Sequence, residues 1–379
     1  MGFGSSRAPP PGINTAQLRV ARVEPADDPI WDTQNSTLGF QKIYAISMAH
    51  RPDKRDYLAL MGLVSHLDIE FVDGVNASLM HPKAFPAFWR GEEGLGAYGC
   101  WRAHLNVYQK MVQNQIQSAL IIEDDADWDV LLKSQMLSFA RGVRAIQDST
   151  LPLHSPYGDS WNLLTLGHLG VNNKPHKSGK YYITHNDPTV IPESRRILGR
   201  KPDPSAEKLK GEHTRIVMEV NKLTGTGAYA LSLHGAARLL YDQALLPNAQ
   251  AIDVAIQRLC RYDGNWPEPF CLGAYPMIFG LYRGIGTLDR DSDRKVEDDE
   301  EKSGYSGQRG KLMRKKGESS FTVFPVSLNM KGLLQQETKF QAVDPAQDMM
   351  AEMDVSTFEF PVGEVVTVEP EEFGTQPVT

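Results

Sequence analysis

Ser118 opens an apolar run, Ala119-Leu120-Ile121-Ile122, that stops abruptly at Glu123-Asp124-Asp125-Ala126-Asp127. A short strand with no polar face must be covered on both sides, as a central strand of a parallel sheet is. That requirement demands helices above and below, and the flanking sequence supplies them. Residues 42–47 (Lys-Ile-Tyr-Ala-Ile-Ser) predict a first strand. Residues 57–67 predict a helix with Leu60, Leu63, Val64 and Leu67 on one face, and residues 69–72 a second strand closed by Asp73-Gly74. This βαβ opening favours a parallel sheet. Further helices are expected over 99–113, 131–146, from His234, and over 251–259; further strands over 161–167, 228–231 and 274–279. The fold class expected is α/β: a mixed, mostly parallel sheet with helices on both faces.

Composition sets the outer limits. The chain has 379 residues, 41% hydrophobic and 23% charged, enough for a sizeable core. The net charge of −7 argues against a nucleic-acid binder. Its negative excess is local, because residues 341–379 carry nine acids and no Lys or Arg. Residues 1–38, rich in Pro, Ser and Asp, are expected to be disordered or loosely attached. The catalytic-type domain is expected over 39–290, with a polar excursion at 171–215, and residues 291–379 as a charged, largely disordered tail. Three cysteines exclude a disulfide framework and a four-cysteine zinc site, and leave room for one bridge, Cys260 with Cys271 being the pair nearest in sequence. No apolar stretch is long enough to span a membrane, and the first residues lack the apolar core of a secretory signal. Gly2 with Ser6 matches a short acylation pattern; Asn35 and Asn76 lie in glycosylation sequons.

Three places can carry chemistry. Three consecutive acids at the end of a buried strand repel one another and resist desolvation, a cost that a divalent cation relieves. The position fits as well, since open α/β sheets bind ligands beyond the carboxyl ends of their strands. Glu123 and Asp125, two apart, share a side of an extended chain while Asp124 points away; Asp125 and Asp127 offer the same spacing one step later. The competing reading is a solvated loop capping the next helix through Asp127 or Asp129. Second, Arg51 and Arg55 are four apart after the first strand and suit diphosphate oxygens, unless they only pair with Asp53 and Asp56. Third, Asp253 begins an apolar helix, as either a capping acid or a general base. His104 is a helical histidine, either buried and satisfied or functional. Cys100 lacks the adjacent base that a nucleophile needs. Gly225-Thr226-Gly227 reads as a turn with close backbone approach rather than a dinucleotide fingerprint.

Taken in order, the motifs resemble glycosyltransferase family 25, the lipopolysaccharide-type and collagen-galactosyltransferase-like enzymes. The likeness spans residues 42–288. It rests on Ile43–Ser47 with Arg51-Pro52-Asp53-Lys54-Arg55, then Val72-Asp73-Gly74, Gly99-Cys100 with His104, Leu120–Asp125, Thr226–Tyr229 with Gly235-Ala236, Ile252-Asp253 and Pro276. Ser47, Ala97 and Ala103 depart from the family's usual Asn, Glu and Ser. The resemblance implies a GT-A-like fold, a UDP-hexose donor such as UDP-galactose, Mn²⁺ or Mg²⁺, and inversion at the anomeric carbon. It implies Asp253 as base and Asp125 as chief metal ligand, with Glu123 on ribose or metal. Ser47, Arg51, Arg55, Gly74 and Asp124 would line the donor site. His104 and Tyr229 are acceptor or structural candidates, and Trp101, Tyr229 or Trp266 would stack on an acceptor sugar. The acceptor would be a glycan or a protein- or lipid-linked hydroxyl. The family suggests a Golgi or other endomembrane lumen; the lack of a visible signal suggests the cytoplasm. Two alternatives stand beside this reading: a nucleotide-sugar-binding module without turnover, and a metal-dependent hydrolase or phosphotransferase.

Overall fold

The computed structural model describes residues 19–21, 23–89, 94–173, 179–196, 202, 206–261, 271–293, 313–343, 350–369 and 372. Its centre is a mixed sheet built in chain order from β1 (Lys42–Ser47), β2 (Ile69–Asp73), β3 (Ser118–Glu123), and, after the short outlying β4 (Ala126–Trp128), β5 (Leu163–Gly167). It continues through β6 (Lys180–Thr184), β7 (Arg215–Glu219), β8 (Ala228–Ser232) and β9 (Cys271–Tyr275). Strands β10 (Phe279–Arg283) and β11 (Glu318–Ser320) pair outside it, and β12 (Glu364–Thr367) closes its far edge. The spatial order is β12-β6-β7-β9-β5-β8-β3-β1-β2. Six of these nine strands run in one direction; β8, β7 and β12 run against them. β3 is as buried as its sequence demands, but only its β1 neighbour is parallel; β8 is antiparallel.

Helices cover both faces. Leu120 and Ile122 of β3 face a layer formed by α1 (Pro52–Val64) and α3 (Leu132–Ile146). Ala119 and Ile121 face α2 (Leu95–Gln113), α4 (Leu233–Ala244) and α5 (Ile252–Cys260). The alternation of side chains along a strand is what divides one apolar run between two layers. The inward face of α1 is formed by Leu58, Met61 and Val64, while Leu60 and Leu63 are exposed. The expected stripe through Leu60 and Leu63 is therefore displaced: Pro52 starts the helix earlier, and Tyr57 packs against the core instead.

Three regional expectations are corrected. Residues 29–38 are attached: a short 3-10 helix over Pro29–Gln34 packs on α3, and Ile30 and Leu38 are buried. Within the expected excursion at 171–215, Lys180–Thr184 is a strand of the main sheet, held through β7. Beyond 290, β11 pairs with β10, α6 (Val326–Leu334) packs below α1, and β12 extends the sheet edge. Phe324, Val326, Phe340, Val355 and Phe360 enter the same core as β1 and β3. The body thus runs well past 290, and the acids of 350–369 belong partly to strands. Residues 1–18, 294–312, 344–349 and 373–379 lie outside the described residues. The one cysteine bridge left open by the sequence is formed between Cys260, at the end of α5, and Cys271, at the start of β9.

Candidate active site

The chain leaves β1 through α1 to reach β2 on one side, then crosses through α2 to reach β3 on the other. Strand order therefore reverses between β1 and β3, and the crevice beyond their carboxyl ends is where α/β sheets place ligands. Ser47 ends β1 and Glu123 ends β3, one ladder step apart.

Lys54, one turn into α1, donates to Asp124 Oδ1 at 2.6 Å, with both side chains largely covered. Asp125 has no such partner: its Oδ1 is buried without a hydrogen bond. Burial pushes the Asp125 carboxyl up, and Lys54 pulls it back. Glu123 accepts from the Thr226 hydroxyl at 2.5 Å. Burial first, and then the nearby Asp125 charge, lift it to about 7. The side chain retains 35% of its exposure, so this burial is that of a crowded recess open on one side. Asp127 is a different kind of acid: it is fully buried and accepts from Ser319 at 2.6 Å and Ser327 at 2.5 Å. Asp129 accepts from the Leu131 and Phe324 amides. Both tie the 318–327 segment to the body. Of the two spacings open from sequence, the pair Asp125 and Asp127 has one member already taken by serines, whereas Glu123 and Asp125 each keep an oxygen without such a partner.

A single turn joins the two ends of the site. The Glu123 amide donates to the Gly227 carbonyl at 3.0 Å, Thr226 donates to the Glu123 side chain, and the Gly225 amide donates to Asp253 Oδ2 at 3.2 Å. Gly225 adopts φ +78°, which only glycine takes readily, so the turn is built for this geometry. Asp253 Oδ1 accepts from the Val254 amide, so the carboxylate is oriented by backbone on both oxygens.

The basic side of the crevice is more committed than expected. Arg51 grips Asp53 through Nε and Nη2, Asp293 through Nη1 at 2.6 Å, and the Arg290 carbonyl. Its guanidinium faces the 290–293 segment rather than standing open. The Asp53 bond, with Asp293 beside it, holds the Arg51 charge more firmly than usual. Arg55 turns to the strand ends, donating to the Ser47 carbonyl at 2.8 Å and to Asp73, over the Phe71 ring. Arg51 and Arg55 thus do not share a single partner, although both remain at the rim. Ser47 Oγ is buried without a partner. The Gly74 amide donates to the Ser47 carbonyl, and a Cβ there would lie 2.6 Å from Met48 Sδ, so its role is a close backbone crossing.

His104 is buried, with Nδ1 2.7 Å from Tyr229 Oη and Nε2 3.8 Å from Glu123 Oε1. Burial drives its imidazole down to about 3, so it is neutral near neutral pH. Tyr229 is fully buried and bonds Tyr108 as well, so it is no stacking platform for an acceptor sugar. Trp101 is also covered, at 3% exposure, which removes it from that role too; Trp266 lies outside the described residues.

The donor set suits a hard cation only in part. Among the described residues no three His, Cys, Asp or Glu side chains converge on one point. The unpartnered Asp125 oxygen beside Glu123 does fit a cation of the kind that takes one or two carboxylates and completes its shell with water and substrate phosphates.

Comparison with known proteins fits this geometry. Residues 40–256, more than half of the chain, match the model of glycosyltransferase family 25 (LPS biosynthesis protein). The chain belongs to glycosyltransferase family 25. Its relatives within the family include procollagen galactosyltransferase 1 of Danio rerio, 25% identical over 43% of this chain and 28% of that one. The probable inactive glycosyltransferase 25 family member 3 of Bos taurus is 25% identical over 44% of this chain and 30% of its own. The inactive glycosyltransferase 25 family member 3 of Homo sapiens is 23% identical over 36% and 23%. The chain matches less than a third of the length of these curated relatives. The family match ends just past Asp253, so β1, the acidic turn, the 225–227 turn and Asp253 all lie inside it.

Sequence reasoning missed Lys54, Thr226, Tyr108 and Tyr282. Lys54 was visible within Arg51–Arg55, but its partner lies 70 residues away. Thr226 was legible only as the centre of a Gly-x-Gly turn. Tyr282, whose amide donates to the Asp125 carbonyl and whose ring stacks on Tyr57, had no sequence signal.

Proposed function

We propose that this family 25 chain transfers a hexose, galactose being the leading candidate, from a UDP-sugar to an acceptor hydroxyl with inversion. The observation that carries the reading is the single turn, 225–227, that bonds Glu123 on one side and Asp253 on the other at the strand-order reversal. In the displacement, Asp253 takes the proton of the acceptor hydroxyl. The acceptor oxygen forms its bond to the anomeric carbon as the bond to the diphosphate breaks, and UDP leaves with the electron pair. Glu123 and the Ser47 hydroxyl orient the donor. Arg55, Lys54 and the rim near Arg51 supply positive charge for the diphosphate. Asp125, with Glu123 beside it, would hold Mn²⁺ or Mg²⁺, which when bound supplies Lewis-acid stabilisation of the departing diphosphate. The acceptor would be a glycan or a protein- or lipid-linked hydroxyl. The Cys260–Cys271 bridge supports an oxidising lumen, such as the endomembrane system, over the cytoplasm. Among the described residues no helix is long and apolar enough to cross a membrane.

A second reading is a nucleotide-sugar-binding module without turnover. It is favoured by the full engagement of Arg51 with Asp53 and Asp293 and by the inactive relatives. Incubation of the chain with a panel of UDP-hexoses and Mn²⁺ tests both. UDP release above the background of an Asp253→Asn variant is expected for the transferase. Tight UDP-sugar binding with no release across glycan and peptide acceptors would leave the module.

A further inference from the structure

We propose that Tyr108, Tyr229 and His104 form a one-way hydrogen-bond chain that positions Glu123 to accept a ribose hydroxyl of the nucleotide sugar. This rests on the nucleotide-sugar reading above and adds three positioning residues to it. The chain crosses a layer otherwise made of side chains such as Trp101, Leu105, Ile121 and Leu231. His104, Tyr108 and Tyr229 are each no more than 1% exposed. Polar groups at that depth are costly unless each finds a partner. Tyr108 Oη and Tyr229 Oη are 2.7 Å apart, and Tyr229 Oη is 2.7 Å from His104 Nδ1.

The direction of the chain follows from its far end. His104 Nε2 faces Glu123 Oε1, and a carboxylate only accepts. With Glu123 ionised, a ring proton on Nε2 would face it; Nδ1 would then accept from Tyr229, and the Tyr229 oxygen from Tyr108. Every proton points toward Glu123. From the opposite side Thr226 donates to the same Oε1, and among the described residues no protein donor reaches Oε2. The His104–Glu123 separation of 3.8 Å is longer than a hydrogen bond. It fits a contact that tightens once a ligand draws the carboxylate into place. Thr226 thus holds one oxygen, His104 closes on that same oxygen when the ligand binds, and the other oxygen is offered to a donor such as a sugar hydroxyl.

The test is calorimetric titration, with Mn²⁺ present, of UDP and of 2′,3′-dideoxy-UDP, which lacks both ribose hydroxyls. Wild type is expected to bind UDP more tightly. Tyr229→Phe keeps the ring and removes the central hydroxyl; His104→Asn keeps a polar group near Nδ1 but places no donor at Nε2. Each is expected to weaken UDP about tenfold, the order of a hydrogen bond to a charged group, and to leave the dideoxy nucleotide unchanged. His104→Gln, whose amide reaches the place of Nε2, is expected to retain most of the UDP affinity. A purely structural role would weaken both nucleotides alike and would not separate His104→Gln from His104→Asn; either result overturns the proposal. Wild-type binding of both nucleotides with equal affinity overturns the ribose assignment alone. Wild-type binding of neither overturns the nucleotide-sugar reading with it. Should Tyr229→Phe fail to fold, the two His104 variants carry the comparison.

Discussion

Glu123, Asp125 and Asp127 are carboxylates two residues apart whose surroundings give them three different tasks. Asp127 is closed off by two serine hydroxyls, Glu123 is held on one side by Thr226, and Asp125 keeps a buried oxygen with nothing to bond. An unpaired acceptor at that depth is unfavourable unless a ligand completes it. Asp125→Ala is therefore expected to abolish the Mn²⁺ dependence of UDP-sugar binding while the fold persists. Calorimetry with and without the metal decides it, and unchanged metal-dependent affinity would remove Asp125 from the metal role. Asp253→Asn retains an oxygen for the Gly225 amide but cannot take a proton. Donor affinity should stay within about twofold, while transfer falls by roughly 10²–10⁴, the range for a lost general base. Wild-type turnover in this variant would refute the base assignment. His168 offers a test of burial away from the acids. Its Nε2 lies 2.9 Å from the Ala274 carbonyl, and burial lowers its imidazole to about 4. The unfolded chain protonates this residue below about 6.5, whereas the folded chain does so only near 4. Between those values the unfolded state holds more protons, so stability falls as pH is lowered through that window. At pH 5 the loss from this residue is about 2 kcal/mol. His168→Gln, which keeps a donor for Ala274, should show a shallower fall in melting temperature between pH 6.5 and 4.5; an identical profile would refute the burial argument.

At the scale of elements, what was readable in the sequence is what carries its own periodicity or an unbroken apolar run. β1, β3, α2 and α5 were legible because their residues satisfy local patterns that any packed surroundings would respect. The end of β3 was legible as a candidate site because the change from Ile122 to Glu123 is abrupt. β12 (Glu-Val-Val-Thr), β11 (Glu-Ser-Ser) and β6 (Lys-Tyr-Tyr-Ile-Thr) were not, because three to five residues without alternation carry no period of their own, and only their partners elsewhere in the chain make them strands. Glu364–Thr367, for example, is a strand only because Tyr181 and Tyr182 lie opposite. The same limit hid the Thr226–Glu123 bond, which spans 103 residues. The Cys260–Cys271 bridge was open from sequence and is formed between α5, which carries Asp253, and β9, the strand that follows it. It closes a loop of short separation, so its stabilisation belongs at about 3 kcal/mol. Replacing both cysteines by Ser should lower unfolding free energy in denaturant by about that amount without altering UDP-sugar affinity. A change well below 1 kcal/mol would mean that the bridge is not formed in solution.

For the whole molecule, the part holding the candidate site and the part holding the complete core do not coincide. The family match ends at residue 256, and the site lies within it, but the core does not. Asp127 and Asp129, just beyond the acidic turn, bind Ser319, Ser327 and the Phe324 amide, so the strand after the acidic cluster is fastened by residues about 200 positions later. Phe324, Val326, Leu333, Phe340, Val355 and Phe360 are each no more than 4% exposed in the layer below β1 and β3. Burial of a large apolar side chain is worth roughly 1.5–3 kcal/mol. Six such groups together rival the whole margin of about 5–15 kcal/mol by which a domain is folded. Removing them would also leave Asp127 and Asp129 buried without their partners. A chain ending at residue 293, which keeps every candidate site residue, is therefore expected to lose its cooperative thermal transition and its UDP-sugar binding together. Circular dichroism melts and limited proteolysis of the shortened and full chains would read this directly. A cooperative melt within about 5 °C of the full chain, with site chemistry intact, would show that the segment after 293 decorates the fold and does not complete it.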